Sequence, residues 1–313
     1  MIKAIFSGLT FFVLRLFSLL PFAVLKVLEK FLFFLLDKVI HYREDVIIKN
    51  LKNAFPEKTD QEVIHIKSRF YRFFSRLIIE NIKLFHLSAN KLEHHIYLEN
   101  PDLLNAYYHQ GKDVAVMAAH YGNWEWLLGL RRDIPHHSLA IYKPLNNRSF
   151  DRLIKKQRSR YGAELVNMRE IPRVLLRHAA NNLKVLSVFI SDQSPVWEEI
   201  QYWTFFLNQD TPVYLGPEKL AGKMKMAVVY FRVKVRDNYR YSVEAIPITD
   251  DASKEEKFRI TERYFSLLEE DIRKAPENWL WSHRRWKLTE KRKNQEKQGV
   301  FRFAGKLRKT SLC

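Results

Sequence analysis

The sequence predicts an α/β fold, a mixed and mainly parallel sheet flanked by helices, with an N-terminal membrane-associated helical region in front of it. Three observations carry this. From residue 93 onward, short apolar runs alternate with amphipathic stretches of helical length, the pattern of a sheet layered by helices. YFRVKVRDNYRYSVEAI (230–246) reads as two alternating strands turning at Asp237-Asn238, which adds an antiparallel pair. At the other end, AIFSGLTFFVLRLFSLLPFAVL (4–25) holds one charge, Arg15, and one proline, Pro21.

As a single helix, residues 4–25 would span roughly 33 Å, enough for a bilayer core. Arg15 near the middle is costly in hydrocarbon, so an interfacial helix competes with a spanning one. No small-residue cleavage pattern follows in residues 26–50, which argues against a removed signal peptide. The continuation VLEKFLFFLLDKVIHYR sets lysines among bulky apolar residues, and residues 1–38 are read as a membrane anchor. Lysines beside an anchor favour a body on the cytoplasmic side. Helices are expected at 43–55 and 60–87, the second started by Thr59, Asp60 and Glu62. Strands are expected at 113–119, 137–142, 185–190, 226–235 and 239–246. Helices are expected at 123–132, 147–161, 169–180, 213–223 and 254–274. Residues 39–288 thus form one α/β domain. Residues 284–310 carry eleven Lys/Arg against Glu290 and Glu296, so 289–313 reads as a basic, disordered tail.

The charge balance narrows the partners. Of the 313 residues, 53 are Lys or Arg and 35 Asp or Glu, a net charge of +18. An anionic partner is implied: an acidic membrane surface, a phosphorylated lipid, an acidic carrier protein or nucleic acid. No GxxxxGK[ST] or GxGxxG is present, so nucleotide binding has no support. The single cysteine, Cys313, allows no disulfide framework, consistent with a reducing compartment.

DVAVMAAHYGNWEW (113–126) is the richest stretch for chemistry. His120 ends an apolar strand, Gly122 bends the chain, Asn123 is a favoured N-cap, and Glu125 falls in the first helical turn. On one helix, His120 and Glu125 would lie about 140° apart. With the histidine outside the helix they can meet, as a general base with its orienting carboxylate. A structural pair is the commoner outcome for such residues. HxxxxE lacks the HExxH spacing and no cysteine cluster accompanies it, so no metal is expected. His94-His95 and His136-His137 have no partners at ligand spacing and are read as surface histidines.

The order HYGNWE, IYKPLNN (141–147), ISDQSP (190–195), FFLNQDTP (205–212) and PENWLWSHRRWK (276–287) resembles the lipid A secondary acyltransferase family, within the lysophospholipid-acyltransferase-like superfamily. The likeness covers roughly residues 1–288. The family often has Arg where this chain has Lys143, and its usual Phe-Phe-Gly reads Phe205-Phe206-Leu207 here. The resemblance implies acyl transfer from a thioester on acyl carrier protein to a hydroxyl of a lipid A precursor at the inner membrane of a Gram-negative-type bacterium. His120 would take the hydroxyl proton and Glu125 would hold the imidazole, with no acyl-enzyme, cofactor or nucleic acid. It also implies substrate contacts at Asn123, Lys143, Asn146, Arg158, Arg160, Asp192, Gln193, Arg284 and Arg285. Read as residues alone, Asp192-Gln193 equally make an Asx turn. Arg158 and Arg160 equally make a solvated helix end, and Arg284-Arg285 a cation–π stack between Trp281 and Trp286. A lysophospholipid, glycolipid or aminolipid acyltransferase would keep the same dyad, and a basic membrane-anchored binding protein would not need it.

Overall fold

The computed structural model describes residues 13–144, 147–237 and 239–297. Leu145, Asn146, Asn238, residues 1–12 and the tail from 298 lie outside the described residues.

The expected continuous N-terminal helix is interrupted. Residues 13–19 are helical, and a second helix, Phe22–Phe34, begins after Pro21. Proline lacks the N–H a continuing helix needs and pushes its predecessor out of helical backbone. Lys83 fills the break, donating to the carbonyls of Ser18 at 3.0 Å and Leu20 at 2.7 Å. Among the described residues no helix is long and apolar enough to cross a membrane. Phe22–Phe34 packs on helix Asp60–Lys83 and turns Val27, Phe31 and Phe34 outward, 67%, 63% and 54% exposed. Their spacing of four and three residues places them on one face. Asp60–Lys83 starts with a capping box, in which Thr59 and Glu62 satisfy each other's backbone donors.

Among the described residues, seven strands form one sheet: β1 (Ile96–Leu98), β2 (Val114–Ala118), β3 (His137–Tyr142), β4 (Glu164–Asn167), β5 (Val185–Ile190), β8 (Ala227–Arg236) and β9 (Arg240–Thr249), in the order β1-β9-β8-β2-β5-β3-β4. β8, β2, β5, β3 and β4 are parallel, while β9 runs antiparallel to β8 and parallel to β1. The mixed, mainly parallel sheet and all five expected strands are therefore present. Every residue of β2 is buried, as expected for a central parallel strand covered on both faces. β1 and β4, of three and four residues, are too short to show a period. β6 (Tyr202–Phe206) and β7 (Gln209–Val213) make a separate antiparallel ribbon that was not expected either. Its turn residues Leu207 and Asn208 have φ of 49° and 61°, the pair of positive values a type I′ hairpin requires. Leu207 stands where the resembling family has glycine, and its side chain is completely buried.

Two further expectations change. Trp124–Asp133 is a 3-10 helix rather than an α-helix. The chain also stays ordered past residue 288, because Lys287–Lys297 is helical and docks on the ribbon. Thr289 Oγ1 donates to the Asp210 carbonyl at 2.7 Å, and Arg292 donates to its carboxylate at 2.6 Å. The Arg292 guanidinium lies 4.1 Å from the Trp203 ring centroid. A basic run reads as a solvated tail only until an acid and an aromatic face are brought to it.

Candidate active site

The site lies where parallel strands end, the usual place for ligands on such a sheet. β2 and β5 pair in a register that sets Ala118 opposite Ile190. Two residues beyond that pair, His120 meets Asp192: the ring Nδ1 is 2.7 Å from Oδ1, and the His120 backbone N–H donates to Oδ2 at 3.1 Å. The Trp279 indole N–H donates to the same Oδ2 at 2.8 Å. Asp192 is 2% exposed. Burial pushes its carboxyl upward, but the charge of and hydrogen bonds from His120, with the indole, outweigh burial and hold it below the usual value. Asp192 is thus kept ionised, and it fixes the Nδ1–H tautomer that leaves Nε2 as the basic nitrogen. The Gln193 amide nitrogen lies 3.1 Å from that Nε2. The Trp124 ring stands edge-on to the imidazole, centroids 4.6 Å apart.

The backbone around His120 is held from behind. Leu280 N–H donates to the His120 carbonyl at 3.1 Å, and Gly122 N–H donates to the Asn278 carbonyl at 3.0 Å. Gly122 has φ of 63°, and a Cβ there would sit 2.6 Å from Val233 Cγ1. Both strain and contact oppose a side chain. Gly122→Ala should lower the unfolding free energy by about 1–3 kcal/mol, measured by urea denaturation; an unchanged midpoint would show that the turn relaxes without cost.

Glu125 does not hold the histidine, contrary to the sequence expectation. Its carboxylate is gripped by Arg158, whose Nε donates to Oε2 at 2.9 Å and whose Nη2 donates to Oε1. The register of β2 on β5 brings His120 to Asp192, and Arg158, on the basic helix Arg148–Ser159, takes the Glu125 carboxylate. A cavity of about 570 Å³ opens from this point. His120, Trp124, Glu125, Lys143, Arg158 and Gln193 stand along it, and Leu139, Ile141, Leu165, Ile171 and Val188 give it an apolar wall. Its size and mixed lining suit a chain-like ligand with one polar end.

The profile of bacterial lipid A biosynthesis acyltransferases matches residues 2–288. The chain belongs to that family. It is 24% identical over 285 residues to the lipid A biosynthesis palmitoleoyltransferase of Escherichia coli (strain K12), covering 88% of this chain and 89% of the relative. The same figures hold for the lipid A biosynthesis acyltransferase of Shigella flexneri. The protein is therefore an acyltransferase, and the family resemblance read from the motifs stands.

In this lipid A acyltransferase, the remaining expected contacts divide sharply. Asn123 is fully buried beneath the site. Its side-chain oxygen accepts from Glu125 N–H at 3.1 Å, and its amide donates to Glu80 at 2.9 Å. Glu80, completely buried, is also bound by Tyr241 at 2.6 Å and Arg76 at 2.7 Å. Burial raises its carboxyl above the usual value against the pull of these partners. Asn123 is thus a support of the turn and does not line the cavity. Arg160 points away and donates to the Phe85 carbonyl at 2.8 Å. Arg285 is fully buried, donates to the Pro212 carbonyl at 2.8 Å, and lies over the Phe265 ring. Burial lowers its guanidinium to about 10. It serves the fold rather than a headgroup, while Arg284 is exposed. Asn146 falls outside the described residues. The surface reading of the histidine pairs also changes, since His136 is buried with its Nε2 3.1 Å from the Lys112 carbonyl. His95 packs against Phe22 and Trp126.

Sequence reasoning missed Asp192 as the partner of His120, and missed the Trp279 indole behind it. One signal was present: His120 and Asp192 each follow closely on the end of an apolar strand. Which two runs are neighbours was not visible.

Proposed function

We propose that this acyltransferase moves a fatty acyl chain from an acyl-carrier-protein thioester to a hydroxyl of a lipid A precursor, with His120 as general base. The observation that supports this most is one imidazole bound to a buried carboxylate at Nδ1 and bordering an apolar cavity. The acceptor hydroxyl displaces the Gln193 amide from Nε2 and gives up its proton there as its oxygen attacks the thioester carbonyl. The C–S bond then breaks, and the imidazolium returns the proton to the departing thiolate. Asp192 stabilises the transient positive ring. Cys313 is the sole cysteine and lies far along the chain from the site motifs, so direct attack is favoured over an acyl-enzyme. The acyl chain occupies the apolar part of the cavity, and Lys143 and Arg158 at its border face anionic groups of donor or acceptor.

The protein works at the cytoplasmic face of the inner membrane. Val27, Phe31 and Phe34 on one helix face, with lysines beside them, suit an interfacial helix better than a spanning one. Two-substrate assays test the whole reading. Purified enzyme in detergent, acyl carrier protein charged with a fatty acyl chain, and a lipid A precursor should yield lipid heavier by one acyl group in mass spectrometry. Acylation of a lysophospholipid by the same donor, with the lipid A precursor untouched, would overturn the acceptor. Turnover with acyl-coenzyme A alone would overturn the donor.

A further inference from the structure

We propose that His137, Glu164 and His178 form a binding site for a divalent transition metal, with zinc the best match to the donor set. The three come from separate elements: the first residue of β3, the first residue of β4 and the last turn of helix Ile171–Ala180. Their ligand atoms all lie within 4.8 Å of one another. His137 Nε2 and His178 Nε2 are each 2.8 Å from the same carboxylate oxygen, Glu164 Oε2. Two imidazoles presenting the same nitrogen to one point, with a carboxylate completing a triangle, is a His₂Glu set that leaves a fourth tetrahedral position for water. Bonds of about 2.0–2.2 Å are reached by small side-chain rotations that draw the three atoms around a shared centre.

The surroundings fit a metal rather than a chance surface cluster. Arg177 donates to the other oxygen, Glu164 Oε1, at 2.7 Å, which leaves Oε2 aimed at the histidines. Outer contacts of this kind orient ligating carboxylates. The His178 side chain is only 10% exposed, while His137 and Glu164 are about a third exposed, at 33% and 29%. One ligand is therefore fixed by packing while the open side admits an ion.

The site sits at the N-terminal ends of its strands, the opposite end of the parallel sheet from His120. Its consequence is mechanical. β3, β4 and helix Ile171–Ala180 supply Leu139, Ile141, Leu165, Ile171 and Pro172 to the cavity wall. An ion shared by all three would clamp that wall from outside.

The test uses the tag-free full chain in detergent, stripped with chelator. Zinc chloride in titration calorimetry should bind with one tight equivalent and raise the melting temperature. Cobalt chloride should give the visible absorption of a tetrahedral site. Glu164→Gln and His178→Gln should each weaken zinc binding at least about tenfold, and His137→Gln with His178→Gln should remove the tight equivalent. Absence of both heat and cobalt absorption in the wild type would overturn the site without recourse to any variant. Unchanged affinity in Glu164→Gln, folded by circular dichroism, would overturn the ligand assignment.

Discussion

His120→Ala should lower kcat by about 10²–10⁴-fold, and Asp192→Asn should fall in the same range. The second effect is the informative one. Three donors converge on the Asp192 carboxylate: the His120 ring, the His120 backbone N–H and the Trp279 indole. An amide has one acceptor oxygen and an NH₂ that would face a donor, so at least one of these bonds must fail. The ring would lose its tautomer, its orientation and the counter-charge for its protonated form. Asp192 is held below its usual value, so its stabilising interactions are complete at neutral pH. They are lost only as pH falls through that depressed value, well below the working range. Single-turnover rates with saturating thioester separate this from weaker binding, since a base or its partner acts on kcat more than on KM. Asp192→Asn within threefold of wild type, with a native melting profile, would remove Asp192 from the mechanism.

Glu125→Gln should lower kcat/KM by about 10–100-fold, the scale of breaking a well-formed, half-buried charge pair. Arg158 would then stand at the cavity border without its bidentate partner. Because Glu125 acts through Arg158, the losses in Glu125→Gln and Arg158→Gln should not add, and the double variant should resemble the worse single one. A Glu125 that instead served His120 would show additivity with Arg158→Gln and non-additivity with Asp192→Asn. The cycle therefore decides which neighbour Glu125 works with, and kinetics of six proteins suffice.

Much of the architecture was legible because periodicity is a local property. β2 is an unbroken apolar run, β5 is one but for Ser187, and β3 is apolar from Leu139 to Tyr142; the alternating β8–β9 pair could be read with its turn. Thr59 and Glu62 announced their capping box in four residues. β1 and β4 were invisible because three or four residues carry no period. The ribbon was missed because Leu207 occupies a positive-φ position where glycine or asparagine would have signalled a turn. Pro21 breaks a helix that the hydrophobicity of 4–25 alone would continue.

The sequence by itself determined the fold class, the family and the histidine proposed as base. Each depends on residues close in the chain: a strand that ends in histidine, a glycine bend, and motif blocks in order. Only the tertiary structure decided which carboxylate His120 meets. His120 and Glu125 are five residues apart, whereas Asp192 is reached through the register of β2 on β5, and register is set by packing across the sheet. The same holds for Glu125 with Arg158, for the burial of Asn123 and Arg285, and for the meeting of His137, Glu164 and His178. Spacing in sequence limits which side chains can meet locally; a parallel sheet, whose strands are joined only through long crossovers, assembles its sites from residues that no local pattern connects.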